Sequence, residues 1–206
     1  MKATAKEKFW NVPNVLTLIR IALVPVFALM LLQKKVAGAL IIIFLAGSTD
    51  VLDGLAARAW NQRTRIGTIL DPIADKLLLS TAFILLTIRS LGFNRVIPLW
   101  LTAVVIGRDI LILAGGAAIT CIRGPRPFLP TVPGKISTVF QVTTVFWVIL
   151  SNTVHVTALS GSPLLSTLTS SSVLDGLFLA TLIFTVISGT QYILKGIRMA
   201  FRQRSE

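Results

Sequence analysis

A chain of 206 residues, 54% hydrophobic and only 14% charged, is not an ordinary soluble domain, where about 25% of residues carry charge. A net charge of +12 would suit nucleic acid. The mean hydropathy of +0.82 instead favours a membrane surface and phosphorylated ligands. No zinc-finger spacing, aromatic-basic RNA motif or phosphate loop ending in Lys-Ser/Thr occurs, so nucleic acid is not an expected partner. The single Cys121 cannot form an intrachain disulfide. One membrane domain over 1–206 is expected.

The N-terminal stretch carries Lys2, Lys6 and Lys8, then Phe9-Trp10, an amphipathic lead-in suited to the interface. Together with Arg20 and the small residues Ala37-Gly-Ala39, it could be mistaken for a signal peptide. Lys34-Lys35 interrupt that pattern, so a retained helix is expected. Apolar runs long enough to span a bilayer follow at Val15–Leu32, Val36–Leu55, Ile66–Ile88, Val96–Ile119, Val132–Val154 and Val173–Leu194. Turn-forming residues separate them, including Leu91-Gly-Phe-Asn94, Gly124-Pro-Arg-Pro127 and Ser160-Gly-Ser-Pro163. No strand alternation is present, so a barrel is excluded. The expected fold is an all-α integral membrane protein of six transmembrane helices after a short interfacial segment.

Six crossings put both termini on one side. That side holds fourteen Lys and Arg, from Lys2 to Arg204, and the other holds Lys34, Lys35, Arg89 and Arg95. The asymmetry assigns the basic side to the cytoplasm.

Chemistry concentrates in Asp50-Val-Leu-Asp53-Gly54-Leu-Ala-Ala57-Arg58 and Gly67-Thr-Ile-Leu-Asp71-Pro-Ile-Ala-Asp75. Four carboxylates among apolar runs repel one another and need compensation. Asp50 and Asp53 are three apart, and Asp71 and Asp75 four apart, so each pair shares a helix face. A short turn lets the pairs face each other across one cleft. No His or Cys is near, and an all-oxygen donor set suits Mg²⁺ or Mn²⁺. Two ions about 3.5–4 Å apart would make a phosphoryl-transfer centre. Arg58 offers a phosphate-binding fork, Thr64 a hydroxyl, and Gly54 and Ala57 room for close approach. A buried salt-bridge cluster is a poorer reading, because one arginine does not neutralise four carboxylates. A cation transporter is the alternative of a different class.

Farther on, Arg108-Asp109 sits mid-helix, where a charge marks function. Neighbours on a helix diverge by about 100°, so the two need not pair directly. Arg123, Arg126 and Lys135 surround a Pro- and Gly-rich connection and, with Arg108, form a candidate acceptor-phosphate site.

The run D-x2-D-G-x2-A-R-x8-G-x3-D-x3-D resembles the signature of the CDP-alcohol phosphotransferase family at all eight fixed positions. Asn11-Val-Pro-Asn-Val-Leu-Thr-Leu-Ile-Arg20, Trp60 to Gly67, Leu70 to Lys76 and Gly134-Lys135 through Gln141 are similar to its bacterial phosphatidylglycerophosphate synthase subgroup. That subgroup carries Arg-Glu where this chain has Arg108-Asp109, a pair that resembles the cardiolipin synthases of the family. The favoured acceptor is glycerol 3-phosphate, giving phosphatidylglycerophosphate; phosphatidylglycerol, giving cardiolipin, is second, and inositol phosphate or serine is less favoured. The resemblance implies a homodimer in the bacterial inner membrane, with a cytoplasm-facing cavity where CMP is displaced from CDP-diacylglycerol. It implies that Asp50, Asp53, Asp71 and Asp75 hold two metal ions and that Asp75 is also the base. It implies further that Asn14, Thr17, Gly54, Arg58, Thr64 and Gly67 contact the CDP-lipid.

Overall fold

The computed structural model describes residues 12–59, 65–123, 131–157 and 162–201, with side chains for 15–48, 70, 73–116, 131–157 and 162–196. The helices are α1 (Val12–Leu32), α2 (Val36–Ala59), α3 (Arg65–Thr87), α4 (Leu99–Arg123), α5 (Val132–Val156), α6 (Pro163–Leu168) and α7 (Ser171–Phe201). Six long helices thus stand at the six expected apolar runs. No strand occurs among the described residues. The short α6 was not expected; Pro163 at its first position starts it and its hydroxyls close onto their own backbone. The Phe9-Trp10 lead-in lies outside the described residues.

Among the described residues, α1, α4, α5 and the α6–α7 unit contain stretches long and apolar enough to cross a membrane, and α2 holds a shorter one over Val36–Ser48. Large apolar side chains such as Ile41, Phe44, Ile110, Leu113, Val139 and Leu179 face outward. Such an apolar exterior is expected for a bundle whose solvent is lipid.

Inside, α1 packs against both α2 and α3, while α5 packs against α2 and α7, and α4 against α7. Phe27, Leu31, Leu79, Phe83, Leu86, Leu101, Val145 and Ile149 fill the common core. The α5–α7 seam differs. It pairs Ser137 with Thr185 at 3.0 Å and Thr144 with Thr181 at 2.7 Å, and Gln141 donates to Ser137 at 3.2 Å. Small hydroxyl residues let helices approach closely and supply hydrogen bonds where lipid offers none.

The connections at one end are tightly made. Lys35 N–H bonds to Met30 C=O at 2.8 Å and Lys34 N–H to Leu31 C=O at 3.0 Å, a Schellman closure of α1. Lys34 occupies the left-handed position, with φ 59°. That conformation costs an L residue about 1–2 kcal/mol, and glycine there loses about 0.5–1 kcal/mol in extra entropy. Lys34→Gly is therefore expected to raise stability by about 0.5–1 kcal/mol, read as a higher Tm in detergent. The Lys34 Nζ lies 3.0 Å from where a Cβ on Gly92 would stand, so the α1–α2 and α3–α4 connections meet. Asn152 of α5 joins them: it accepts from Arg95 N–H at 3.0 Å and donates to Arg95 C=O at 2.8 Å. The expected grouping of Lys34, Lys35, Arg89 and Arg95 at one end agrees with these contacts.

Candidate active site

Two cavities flank α3. The smaller, about 110 Å³, lies between α1, α2, α3 and α5, with Arg20, Ala46, Gly47, Asp75 and Thr138 on its walls. By helical spacing, positions 50, 53 and 54 continue the α2 face of Ile43, Ala46 and Gly47. Position 71 likewise continues the α3 face of Asp75 and Leu78. Of the four motif aspartates, Asp75 is the one whose side chain is described, and it lines this cavity. The side chains of Asp50, Asp53, Asp71, Asn14, Arg58 and Arg123 lie outside the described residues, as do the surroundings of Gly54 and Gly67. Thr64 and Arg126 are outside them altogether.

Asp75 is described, and its partner is new. Arg20 Nη1 donates to Asp75 Oδ1 at 2.6 Å; the arginine side chain is 1% exposed and the carboxylate 39%. Arg20 does not precede the first helix as an N-terminal charge. It sits inside α1, one turn beyond the fully buried Thr17. A guanidinium so enclosed requires an anion beside it. The sequence signal was present: an arginine inside an apolar run, in register with Thr17.

The larger cavity, about 480 Å³, lies between α3, α4, α5 and α7. Its polar lining includes Lys76, Arg108, Asp109, Lys135, Thr138 and Tyr192. Arg108 and Asp109 do pair, contrary to the freedom their helical divergence allowed: Arg108 Nη1 meets Asp109 Oδ1 at 2.7 Å. The long arginine stem folds back over the 100° gap between them. Asp109 Oδ2 accepts from Lys76 Nζ at 2.6 Å. Arg108 is held further by Ser188, which accepts from Nη2 at 2.7 Å and from Nε at 3.3 Å. The Tyr192 ring lies 5.8 Å from the guanidinium carbon, within cation–π range. Lys76 was read only as cytoplasmic charge; the structure places it on this cavity. Lys135 is exposed at the start of α5 and lines the same space.

Gly134 explains how α5 approaches so closely. A Cβ there would stand 3.1 Å from Thr131 Oγ1, 3.2 Å from the Tyr192 hydroxyl and 3.3 Å from Arg108 Nη2. Thr131 caps α5 by accepting from Gly134 N–H at 3.3 Å, and its own N–H bonds to the Tyr192 hydroxyl at 3.2 Å. Thr138, one turn later, lines both cavities. Asp75 and Lys76 are consecutive, so α3 turns one toward each space.

No cluster of three metal-ligating side chains occurs among the described residues, which include only Asp75 of the four motif aspartates. The donor chemistry of the four fits a hard divalent ion.

Apolar helices around a carboxylate cavity and a neighbouring basic one define an integral membrane protein with paired polar sites. Residues 10–187 match the family model described as CDP-alcohol phosphatidyltransferase, and the chain belongs to that family. It is 34% identical over 193 residues to a CDP-diacylglycerol–glycerol-3-phosphate 3-phosphatidyltransferase of Aquifex aeolicus, covering 94% of this chain and 99% of that protein. The protein of the same name from Bacillus subtilis is 32% identical over 208 residues, covering 90% and 95%. A human cardiolipin synthase (CMP-forming) is 42% identical over 109 residues, covering 52% of this chain. The chain matches only about a third of the length of the human and rat cardiolipin synthases, 35% and 34%.

Proposed function

We propose that the protein transfers the phosphatidyl group of CDP-diacylglycerol to glycerol 3-phosphate, releasing CMP. The observation that carries this reading is the division made by α3, with Asp75 on the carboxylate cavity and Lys76 on the basic one. Relatives named for glycerol 3-phosphate match along nearly their whole length, which supports that acceptor. The larger cavity suits its phosphate: Lys76, Arg108 and Lys135 outnumber the single carboxylate of Asp109. Cardiolipin formation from phosphatidylglycerol is the second reading, favoured by the Arg108-Asp109 pair and the identity to cardiolipin synthases. A cation transporter has no support in the family match.

In the proposed reaction, the CDP-lipid diphosphate lies by the carboxylate cavity, with Arg58, Thr64, Gly54, Gly67, Asn14 and Thr17 as its contacts. Asp50, Asp53, Asp71 and Asp75 would hold Mg²⁺ or Mn²⁺. Two such ions, when bound, neutralise phosphate charge and favour departure of CMP. Arg20 holds Asp75 in place. Asp75 takes the acceptor hydroxyl proton as the acceptor oxygen attacks the lipid-side phosphorus. A new oxygen–phosphorus bond forms, the bond to the bridging oxygen breaks, and CMP leaves with those electrons. The acceptor's own phosphate is anchored in the basic cavity by Arg108, Lys76 and Lys135, with Arg123 and Arg126 as further candidates.

We further infer that all six long helices cross the inner membrane, that both termini and the site face the cytoplasm, and that the protein is a homodimer. The family match and the apolar helices support this arrangement.

Purified protein is expected to release CMP only with a divalent metal and an acceptor present. Arg108→Ala is expected to raise the KM for glycerol 3-phosphate about tenfold or more, the loss of one charge-assisted phosphate contact. CDP-lipid binding should stay nearly unchanged. Steady-state kinetics with each substrate varied in turn checks this. Conversion of phosphatidylglycerol with no use of glycerol 3-phosphate would establish the second reading. Liposome cation flux without CMP release would sink both.

A further inference from the structure

The end of the bundle remote from the aspartate motif holds another cavity, of about 260 Å³. Arg89, Arg95, Ser171 and Asp175 stand around it, above a floor that includes the buried Leu174 and Phe178. Arg89 lies fourteen residues beyond Asp75, roughly 20 Å along α3 and its extension. The cavity is therefore separate from both substrate spaces.

The backbone of Arg95 is fixed. Its backbone N–H and C=O are both bound by Asn152, which is 2% exposed and also donates to Val148 C=O at 2.8 Å. The Arg95 Nε is buried and has no hydrogen-bond partner. A buried donor without an acceptor is costly. Among the described residues neither Arg89 nor Arg95 is ion-paired with Asp175. Two guanidinium groups at one opening match a phosphate oxyanion. The apolar floor extends the fit beyond a phosphate group to something with a hydrocarbon portion beside its charge. In a membrane protein that description belongs to a phospholipid.

We propose that this cavity binds the phosphodiester headgroup of a membrane phospholipid, with Arg95 and Arg89 on the phosphate and the first acyl carbons over Leu174 and Phe178. Asp175 opposes the headgroup's negative charge and keeps the lipid exchangeable. The assignment is independent of the reaction proposed above.

The test uses full-length protein in detergent and dioleoylphosphatidylethanolamine, which has the phosphodiester but is no substrate of the proposed reaction. Native mass spectrometry counts bound lipid during a titration. Arg89→Gln and Arg95→Gln are each expected to weaken the site about tenfold. Asp175→Asn is expected to tighten it several-fold, and CMP release by these variants should stay within about twofold of wild type. Arg89 and Asp175 are exposed, so their variants answer the question even if Arg95→Gln folds poorly. Unchanged lipid affinity in both Arg89→Gln and Asp175→Asn would overturn the proposal and leave water as the occupant. Thermal protection by millimolar inorganic phosphate that added lipid does not displace would also overturn it, assigning the site to a free anion.

Discussion

Arg20→Met is expected to reduce CMP release at least about a hundredfold while leaving the helical content intact. The guanidinium is the partner of Asp75 in the structure, and it is enclosed by apolar residues of α1 and its neighbours. Removing one partner of a buried pair costs about 3–5 kcal/mol. Asp75 keeps partial solvent access, so the lower part of that range applies. The rate loss comes from position: a catalytic group displaced by about 1 Å can cost roughly a hundredfold. Arg20→Lys retains charge but not the planar fork, so an intermediate rate is expected. The measurement is kcat and KM for each substrate beside a thermal melt. A positioning role lowers kcat with lysine restoring part of it. A merely structural role lowers the melt and leaves the surviving protein with full kcat. Wild-type turnover in Arg20→Met would show that Asp75 works without its neighbour.

Arg20 also shows where reading the sequence stopped short. Hydropathy located the long helices, because a run of apolar residues declares its own length. The acidic motif declared its faces, because spacings of three and four are fixed by the helix. What a carboxylate touches across the bundle depends on which helices become neighbours. That is set by packing, and α1 packs against both α2 and α3. Arg20 is fifty-five residues from Asp75, and no local pattern joins them. Lys76 hid for a similar reason. Beside a motif aspartate on a basic membrane side it looked like topology charge. Only the α3–α4 contact puts its ammonium on Asp109. The Arg108-Asp109 pair was visible, but Ser188 and Tyr192 of α7, which hold the guanidinium, lie eighty and more residues away. Gly134 was legible as part of a motif. Its reason, three polar atoms crowding the space of a Cβ, is a tertiary fact.

Asp53→Asn and Asp71→Asn are expected to abolish divalent-metal binding and, with it, nearly all CMP release. Each removes a charge as well as a ligand, and a hard cation loses both. Asp75→Asn is expected to behave differently. If Asp75 is the base, turnover falls by about a hundredfold or more, the usual range for losing proton transfer, while CDP-lipid binding stays within a few-fold. Mn²⁺ binding by electron paramagnetic resonance and CDP-lipid binding by calorimetry separate the cases. Asp75→Asn carries a second cost, because it removes the carboxylate charge that faces the buried Arg20. The double variant Arg20→Met/Asp75→Asn removes both members of the pair. Its loss of thermal stability should therefore be smaller than the sum of the single losses, by about 0.5–3 kcal/mol. Turnover should not recover, since the base is absent in both. Rescue of stability without rescue of rate would separate what the ion pair does for the fold from what Asp75 does for the acceptor hydroxyl. Equal collapse of metal and lipid binding in all three aspartate variants would make Asp75 a metal ligand alone, and the base would have to be sought elsewhere along the cavity.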